Sequence, residues 1–472
     1  MKNNRRNFLK ISGLAGLTVT GGSILNSFAA KPAHETINPT EINTYQQKFN
    51  MCGYAAPKLD TVRVGFIGLG QRGPGHVYNM SKLEGVEITA LCDIRQSMVD
   101  KVRKKLKANH KPTLYAGTKD EWKKLCDRKD IDLVFIATPW DMHVDMAKYA
   151  MEKGKHVAIE VPAAITVEGC WELVKTSERT RKHCMMLENC CYDFFELLTL
   201  NMARQGFFGE IVHAEGAYLH DLTNLNFKKN AYWEMWRLKE NINKDGQLYP
   251  THGLGPVCQV MDINRGDKLD YLVSMSSKDF TMGKTAKELA AKDDFYKQFE
   301  NQRYRGNMNT TTIRTNQGRT IMLQHDVSSP NVYSRIHKIS GTKGSALKYP
   351  LPGKIADEKE KWFTEDQMKA LEQKYQPAIV QKIGELAKEV GGHGGMDFLM
   401  DWRLIDCLRN GLPLDQDVYD AALWSVIAPL SSQSIAKRSA SVDIPDFTNG
   451  AWKTNKPVDI TLEKGGTTKV VL

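Results

Sequence analysis

The 472-residue sequence predicts an α/β protein of two parts. The first is a doubly wound parallel-sheet domain, and the second an α+β domain built on an open, largely antiparallel sheet. Three observations predict it. A β-branched run, Thr61 to Ile67, enters Gly68-Leu69-Gly70-Gln71-Arg72-Gly73 directly. Short apolar strands and helical stretches then alternate, as parallel sheets require. From about Asn189 onward, strand-like runs alternate apolar and polar residues, the pattern of a sheet with one buried face. The divisions read are 1–30 as a leader, 31–60 as a linker or wrapping arm, 61–188 as the first domain and 189–472 as the second.

The leader holds Lys2, Arg5, Arg6 and Lys10 with no acidic residue, then an uncharged stretch ending in Ser27-Phe28-Ala29-Ala30. That is the layout of a cleaved secretory signal, and the paired arginines point to the twin-arginine translocase. The glycines and serines make it too polar for a comfortable spanning helix. A periplasmic or otherwise exported protein is expected, folded before it crosses. Losing those four basic residues takes the net charge from +10 to +6, with no Lys/Arg-rich block, so nucleic-acid binding is not expected. The nine cysteines show no metal-type pairing and no disulfide pattern. No metal is expected, and the thiols read as packing residues.

In the first domain, Gly68 permits a tight turn, Gly70 admits a pyrophosphate, and the next helix offers its amides. The strand Val86 to Cys92 ends at Asp93, placed to bind a ribose diol and to repel a 2′-phosphate. Strand, triplet, helix, strand and acid in that order predict an NAD-binding Rossmann domain. Arg72 leaves NADP open. Asp132 to Thr138 reads as a buried strand, followed by Pro139-Trp140-Asp141-Met142-His143 and a helix through Ala150. His156 to Ile159 is the next strand and ends at Glu160-Val161-Pro162. Strand ends line the ligand crevice, so Trp140, His143, Glu160 and Val161 are placed at the cofactor. By spacing alone, His143 is equally a capping or packing residue.

In the second domain, strands are expected at Ile211 to Tyr218, Tyr271 to Met275, Thr310 to Arg314, Thr320 to His325 and Arg335 to Ser340. Residues 364–390 read as a charged, solvated helical face, and 391–395 as a flexible glycine turn around His393. Met396 to Asn410 and Val418 to Ser434 read as helices packing on the core. Open sheets of this kind often pair, so a homo-oligomer is a possible state.

The chain resembles the glucose–fructose oxidoreductase/inositol dehydrogenase family through the glycine triplet, Ala137-Thr138-Pro139, His143, Glu160-x-Pro162, Gly341-Thr342-Lys343-Gly344 and Gly394-Gly395-Met396-Asp397-Phe398. That family places a lysine where this chain has Val161. A narrower resemblance is to glycoside hydrolase family 109. It rests on Gly70-Gln71-Arg72-Gly73, Thr138 to His143, Glu188-Asn189-Cys190-Cys191-Tyr192, Tyr232-Trp233, Trp236-Arg237 and Tyr249 to Pro256. It implies NAD contacts at Gln71, Arg72, Asp93, Trp140, His143, Glu160, Val161, Asn189 and Tyr249. It also implies sugar contacts at Tyr218, Arg237, Tyr249, Pro250, Thr251, His252 and Tyr333, on a glycan ending in α-linked N-acetylgalactosamine. Unaided, His252 reads as a cap on the helix beginning at Gly253, Arg237 as a surface ion pair, and the tyrosines as packing.

The resemblance implies transient oxidation at sugar C3, elimination across C1 and C2, water addition and re-reduction, with His252 and Tyr249 as the acid/base groups. No NAD pool exists outside the inner membrane, so a cofactor returned unchanged at each turnover fits an exported enzyme. Two alternatives stand beside it. One is a periplasmic sugar oxidoreductase recycling bound NAD(P), disfavoured by Val161; the other is a sugar-binding protein with structural NAD.

Overall fold

A computed structural model of the chain describes residues 45–471. The leader and residues 31–44 lie outside the described residues. The first domain is a six-stranded parallel sheet in the order β3-β2-β1-β4-β5-β6. Its strands are β1 (Val62–Ile67), β2 (Val86–Cys92), β3 (Thr113–Tyr115), β4 (Leu133–Ile136), β5 (His156–Ile159) and β6 (Cys184–Met186). Helices α1 (Gly73–Met80), α2 (Gln96–Lys105), α3 (Glu121–Asp127), α4 (His143–Glu152) and α5 (Val167–Thr180) connect them. Every residue of β4 and β5 is buried, as expected for parallel strands covered on both faces.

The second domain is an eight-stranded sheet in the order β13-β12-β11-β7-β10-β9-β8-β14. It comprises β7 (Ile211–Leu219), β8 (Leu269–Ser276), β9 (Asn309–Thr315), β10 (Thr320–Asp326), β11 (Lys338–Gly341), β12 (Gly344–Leu347), β13 (Lys354–Asp357) and β14 (Val442–Asp443). Only β7 and β10 run parallel; the other neighbours are antiparallel. The helices that matter below are α6 (Phe194–Arg204), α7 (Trp236–Glu240), α8 (Thr251–Val260), α9 (Glu365–Tyr375), α10 (Ala378–Val390), α11 (Met396–Asn410) and α12 (Val418–Ala436).

The two-sheet architecture is the one the sequence predicts. Some elements differ, each for a local reason. The run expected at Arg335 to Ser340 is a strand only from Lys338, because Ile336 sits at φ 41° and Arg335 turns inward to Asp193 and Glu196. The 364–390 segment is two helices, α9 and α10, separated at Gln376-Pro377. The second is no solvated face, since Ile379, Val380, Ile383 and Ala387 are buried. Eight of the nine cysteines are buried, and all nine are unpaired.

Residues 45–60 lie along both domains. Tyr45 hydrogen-bonds Glu178 on α5, and the Tyr419 hydroxyl on α12 accepts from Gln47 Nε2 at 2.6 Å and Met51 N at 3.1 Å. Among the described residues, no helix is long and apolar enough to cross a membrane.

Candidate active site

The glycine loop between β1 and α1 has the shape a dinucleotide needs. Gly68 holds φ +91°, and a Cβ there would lie 2.4 Å from the Ala137 carbonyl oxygen. A Cβ on Gly73 would lie 2.0 Å from the Gly68 carbonyl oxygen, so helix and strand touch through glycine alone. At Gly70 the nearest obstacle is the Arg95 guanidinium at 3.6 Å, which leaves the loop edge approachable. These residues fit a nicotinamide dinucleotide.

Asp93 stands at the end of β2. Its carboxylate accepts from Leu69 N at 2.8 Å and from Arg95 N and Nε at 2.9 and 3.1 Å, so it also braces the loop. Gln71 donates to the Ala231 carbonyl at 2.7 Å and therefore reaches the second domain. Arg72 is clamped between carboxylates: Nε is 3.0 Å from Glu160 and Nη1 3.1 Å from Asp397.

Behind it, His76 Nδ1 lies 2.9 Å from both Asp401 oxygens and Nε2 lies 3.2 Å from Glu160. Burial opposes charge on His76, but Asp401 and Glu160 outweigh it and raise its pKa to about 10. Burial likewise opposes ionisation of Glu160, yet Arg72 and His76 bring it down to about 2. Asn189 joins the cluster by donating to Asp397 at 2.6 Å. His393 does too, with Nδ1 2.8 Å from Asp397.

His143 opens α4 just after the β4 loop. It is fully buried, with Nδ1 and Nε2 each 2.9 Å from a carbonyl oxygen, of Pro162 and Thr138 respectively. It ties the loops after β4 and β5 together. Val161 is buried beside Glu160 and carries no ionisable group.

Trp140 joins the cradle to a second cluster of aromatic and polar side chains. Its ring stacks on Tyr249 at 5.8 Å and meets Trp236 edge-on at 5.0 Å. The Arg237 guanidinium sits over Trp140, Tyr232 and Tyr249 at 5.5, 5.7 and 5.1 Å. Tyr218 on β7 packs its ring 4.8 Å from Tyr249 and 5.4 Å from His252, while Tyr333, on the exposed rim, lies 6.3 Å from Tyr218. Pro250 and Thr251 are both buried at the start of α8. The cause is a glycine–glycine contact, in which a Cβ on Gly253 would lie 2.4 Å from Ala217 N and one on Gly216 2.3 Å from Gly253 O.

His252 lies in the first turn of α8, with Nδ1 2.7 and 3.0 Å from the two oxygens of Glu188. Glu188 is fully buried and also accepts from Cys190 N at 3.0 Å. One carboxylate thus fixes Nδ1–H and turns Nε2 outward, an orientation suited to a general base. Tyr249 stands edge-on at 4.8 Å. Burial pushes its phenol well above the usual value against the pull of Arg237, so it is a neutral donor. Among the described residues, Glu188, Cys190 and His252 bring one potential metal ligand atom each within 4.8 Å. Burial pushes the Cys190 thiol well above its usual value.

Residues 62–188 match the oxidoreductase family with an NAD-binding Rossmann fold, and residues 192–454 match the C-terminal domain of glycosyl hydrolase 109. A glycosyl hydrolase family 109 protein of Bacteroides fragilis is 49% identical over 461 residues, 94% of this chain and 96% of that one. The chain belongs to glycoside hydrolase family 109. An α-N-acetylgalactosaminidase of Shewanella oneidensis is 46% identical over 475 residues, 97% of this chain and 98% of its own. Another, from Bacteroides fragilis, is 51% identical over 413 residues, 86% of this chain and 96% of its own. Levoglucosan dehydrogenase, solved with NADH and levoglucosan, shares the fold: TM-score 0.63 at 18% identity, covering 82% of this chain and all of that one.

This family 109 member is therefore a glycoside hydrolase built on a nicotinamide-cofactor domain. Its site includes groups not singled out from sequence: Glu188, His76, Arg95, Asp397 and Asp401. Glu188 and Asp397 lie inside the motifs that carried the resemblance. His76 and Asp401 carried no signal, because their partners are 325 residues apart in the chain.

Proposed function

We propose that the enzyme removes terminal α-linked N-acetylgalactosamine from glycans, using NAD that it retains through each turnover. The observation that carries this reading is the shared wall: Trp140 and Tyr249 stack where the dinucleotide cradle meets the cluster of His252, Tyr218 and Arg237. Relatives at 46% and 51% identity named α-N-acetylgalactosaminidase support the substrate. NAD rather than NADP is favoured by Asp93 at the end of β2 and by the engagement of Arg72 with Glu160 and Asp397.

Bound NAD+ supplies reversible hydride acceptance at sugar C3. The chain supplies the proton chemistry. His252 Nε2 removes and returns the proton at C2, with Nδ1–H held by Glu188. As hydride leaves C3, its hydroxyl proton passes by way of the Tyr249 hydroxyl to water and returns on re-reduction. The departing C1 oxygen takes a proton from water, and the Arg237 fork grips neighbouring hydroxyls. Val161 leaves no amine to take over that proton transfer. Elimination from C1 then needs no carboxylate pair flanking the bond, unlike the usual two-acid scheme.

The test is turnover of an aryl α-N-acetylgalactosaminide in deuterated water without added cofactor. Aryl alcohol release with deuterium entering C2 is the expected result; release with no exchange at C2 would favour direct displacement and remove the elimination route. Export through the twin-arginine translocase to the periplasm belongs to the same reading, supported by eight buried, unpaired thiols that suit folding in a reducing compartment. Arg5→Lys with Arg6→Lys is expected to leave the protein in the cytoplasmic fraction; a variant still exported would sink the export claim.

A further inference from the structure

Residues 231–237 of the second domain make contact with the first domain at one end of the cradle after another. The Ala231 carbonyl accepts from Gln71 in the glycine loop at 2.7 Å. The Trp233 ring lies under the Arg95 guanidinium at 5.4 Å, and Arg95 pairs with Asp93 at the ribose end of β2. Trp236 meets Trp140 at 5.0 Å, and Arg237 sits over Tyr249 at 5.1 Å, on the pocket side. The segment is shaped for this course. Glu234 and Met235 hold φ 49° and 53°, a conformation that L residues keep only where their surroundings enforce it. Met235 is buried beneath, and Lys229 pairs with Asp293 upstream at 2.5 Å.

We infer that residues 231–237 form a strap across the dinucleotide cradle that slows release of the nicotinamide cofactor, with Trp233 and Arg95 closing its adenosine half. The inference rests on the cofactor-retaining reading above and gives that retention a physical cause. Trp233 is more than one-third exposed, and its contact with Arg95 lies against the first domain, at the cradle. The strap must be lifted before a dinucleotide leaves, and each contact adds to the barrier.

The experiment compares wild type, Trp233→Ala, Trp233→Phe and Gln71→Leu, each purified without added cofactor and checked for folding by circular dichroism. Two readouts are the nicotinamide released on denaturation and the dissociation rate, followed as loss of protein-bound NADH fluorescence after mixing with excess NAD+. Trp233→Ala and Gln71→Leu are expected to release cofactor at least about tenfold faster, with Trp233→Phe close to wild type. Rates within twofold of wild type in both would overturn the strap while leaving the cofactor reading intact. A folded wild type that neither carries nor takes up a nicotinamide would overturn that reading itself, and the strap with it.

Discussion

His252 and Glu188 show how much of this site's chemistry rests on one carboxylate. An imidazole with both nitrogens free has two tautomers and a rotating ring. Contacts of 2.7 and 3.0 Å to Glu188 select one of each. Glu188 is buried behind the histidine, so it acts through His252 and is a positioning residue. Glu188→Gln keeps the volume but offers Nδ1 an amide as readily as a carbonyl. Its kcat is expected to fall by about 10²-fold or more, with KM and bound cofactor little changed. His252→Ala should lose about 10²- to 10⁴-fold in kcat, also with cofactor retained. Steady-state kinetics with a nicotinamide assay on the same samples checks both. A Glu188→Gln enzyme with wild-type kcat would show that Tyr249 and the surrounding pocket orient the ring unaided.

At the scale of elements, the site is held by how closely α8 lies on β7. Gly216 and Gly253 face each other with no room for a Cβ on either, and that contact sets the height of His252 above Tyr218. Gly253→Ala must push the helix outward against backbone atoms, which do not yield as a side chain does. Overpacking of this kind costs about 1–3 kcal/mol, and a shift of the base by about 1 Å costs about 10²-fold in rate. Lower Tm and lower kcat together are expected, read by thermal melts and turnover; an unchanged kcat would separate the contact from the site. The same contact shows what the sequence could reveal. The glycine loop was readable because its strand, turn and helix are contiguous, and the strands of the second sheet because alternation is local. The pairing of Gly216 with Gly253 has no period. Glu188 meets His252 across 64 residues and Arg72 meets Asp397 across 325, and such contacts leave no local pattern. Short β12, β13 and β14 were missed for a related reason: they are strands mainly through their neighbours.

At the scale of the whole molecule, ionised groups join the two domains, and their titration should govern stability. Helix α11 brings Asp397 and Asp401 to Arg72 and His76 on the first domain. The chain end is pinned to α11, where Asp406 accepts from Gly466, Thr467 and Thr468 N–H groups, and reaches the first domain where Lys469 N donates to Glu84 at 3.2 Å. His76 is raised from 6.5 to about 10, burial opposing and Asp401 prevailing. Its contribution is therefore complete below about pH 6.5 and disappears as pH climbs through 10. Six other histidines behave oppositely. Burial lowers His143, His156, His183, His220, His325 and His337, with His183 near 4 and His337 near 3. Unfolding lets each of them take a proton, so stability declines as pH falls below 6.5. Glu160, brought from 4.5 to about 2, adds a further loss between those values. Melting temperature is expected to peak between about pH 6 and 7 and to fall on both sides. His76→Gln should lower the whole curve, because Asp401 loses its cation, and should flatten the limb between pH 6.5 and 10 while leaving the acid limb its slope. Melting curves of both proteins across that range decide it. An alkaline limb equally steep in the variant would mean that the cluster between α1 and α11 is not what titrates there.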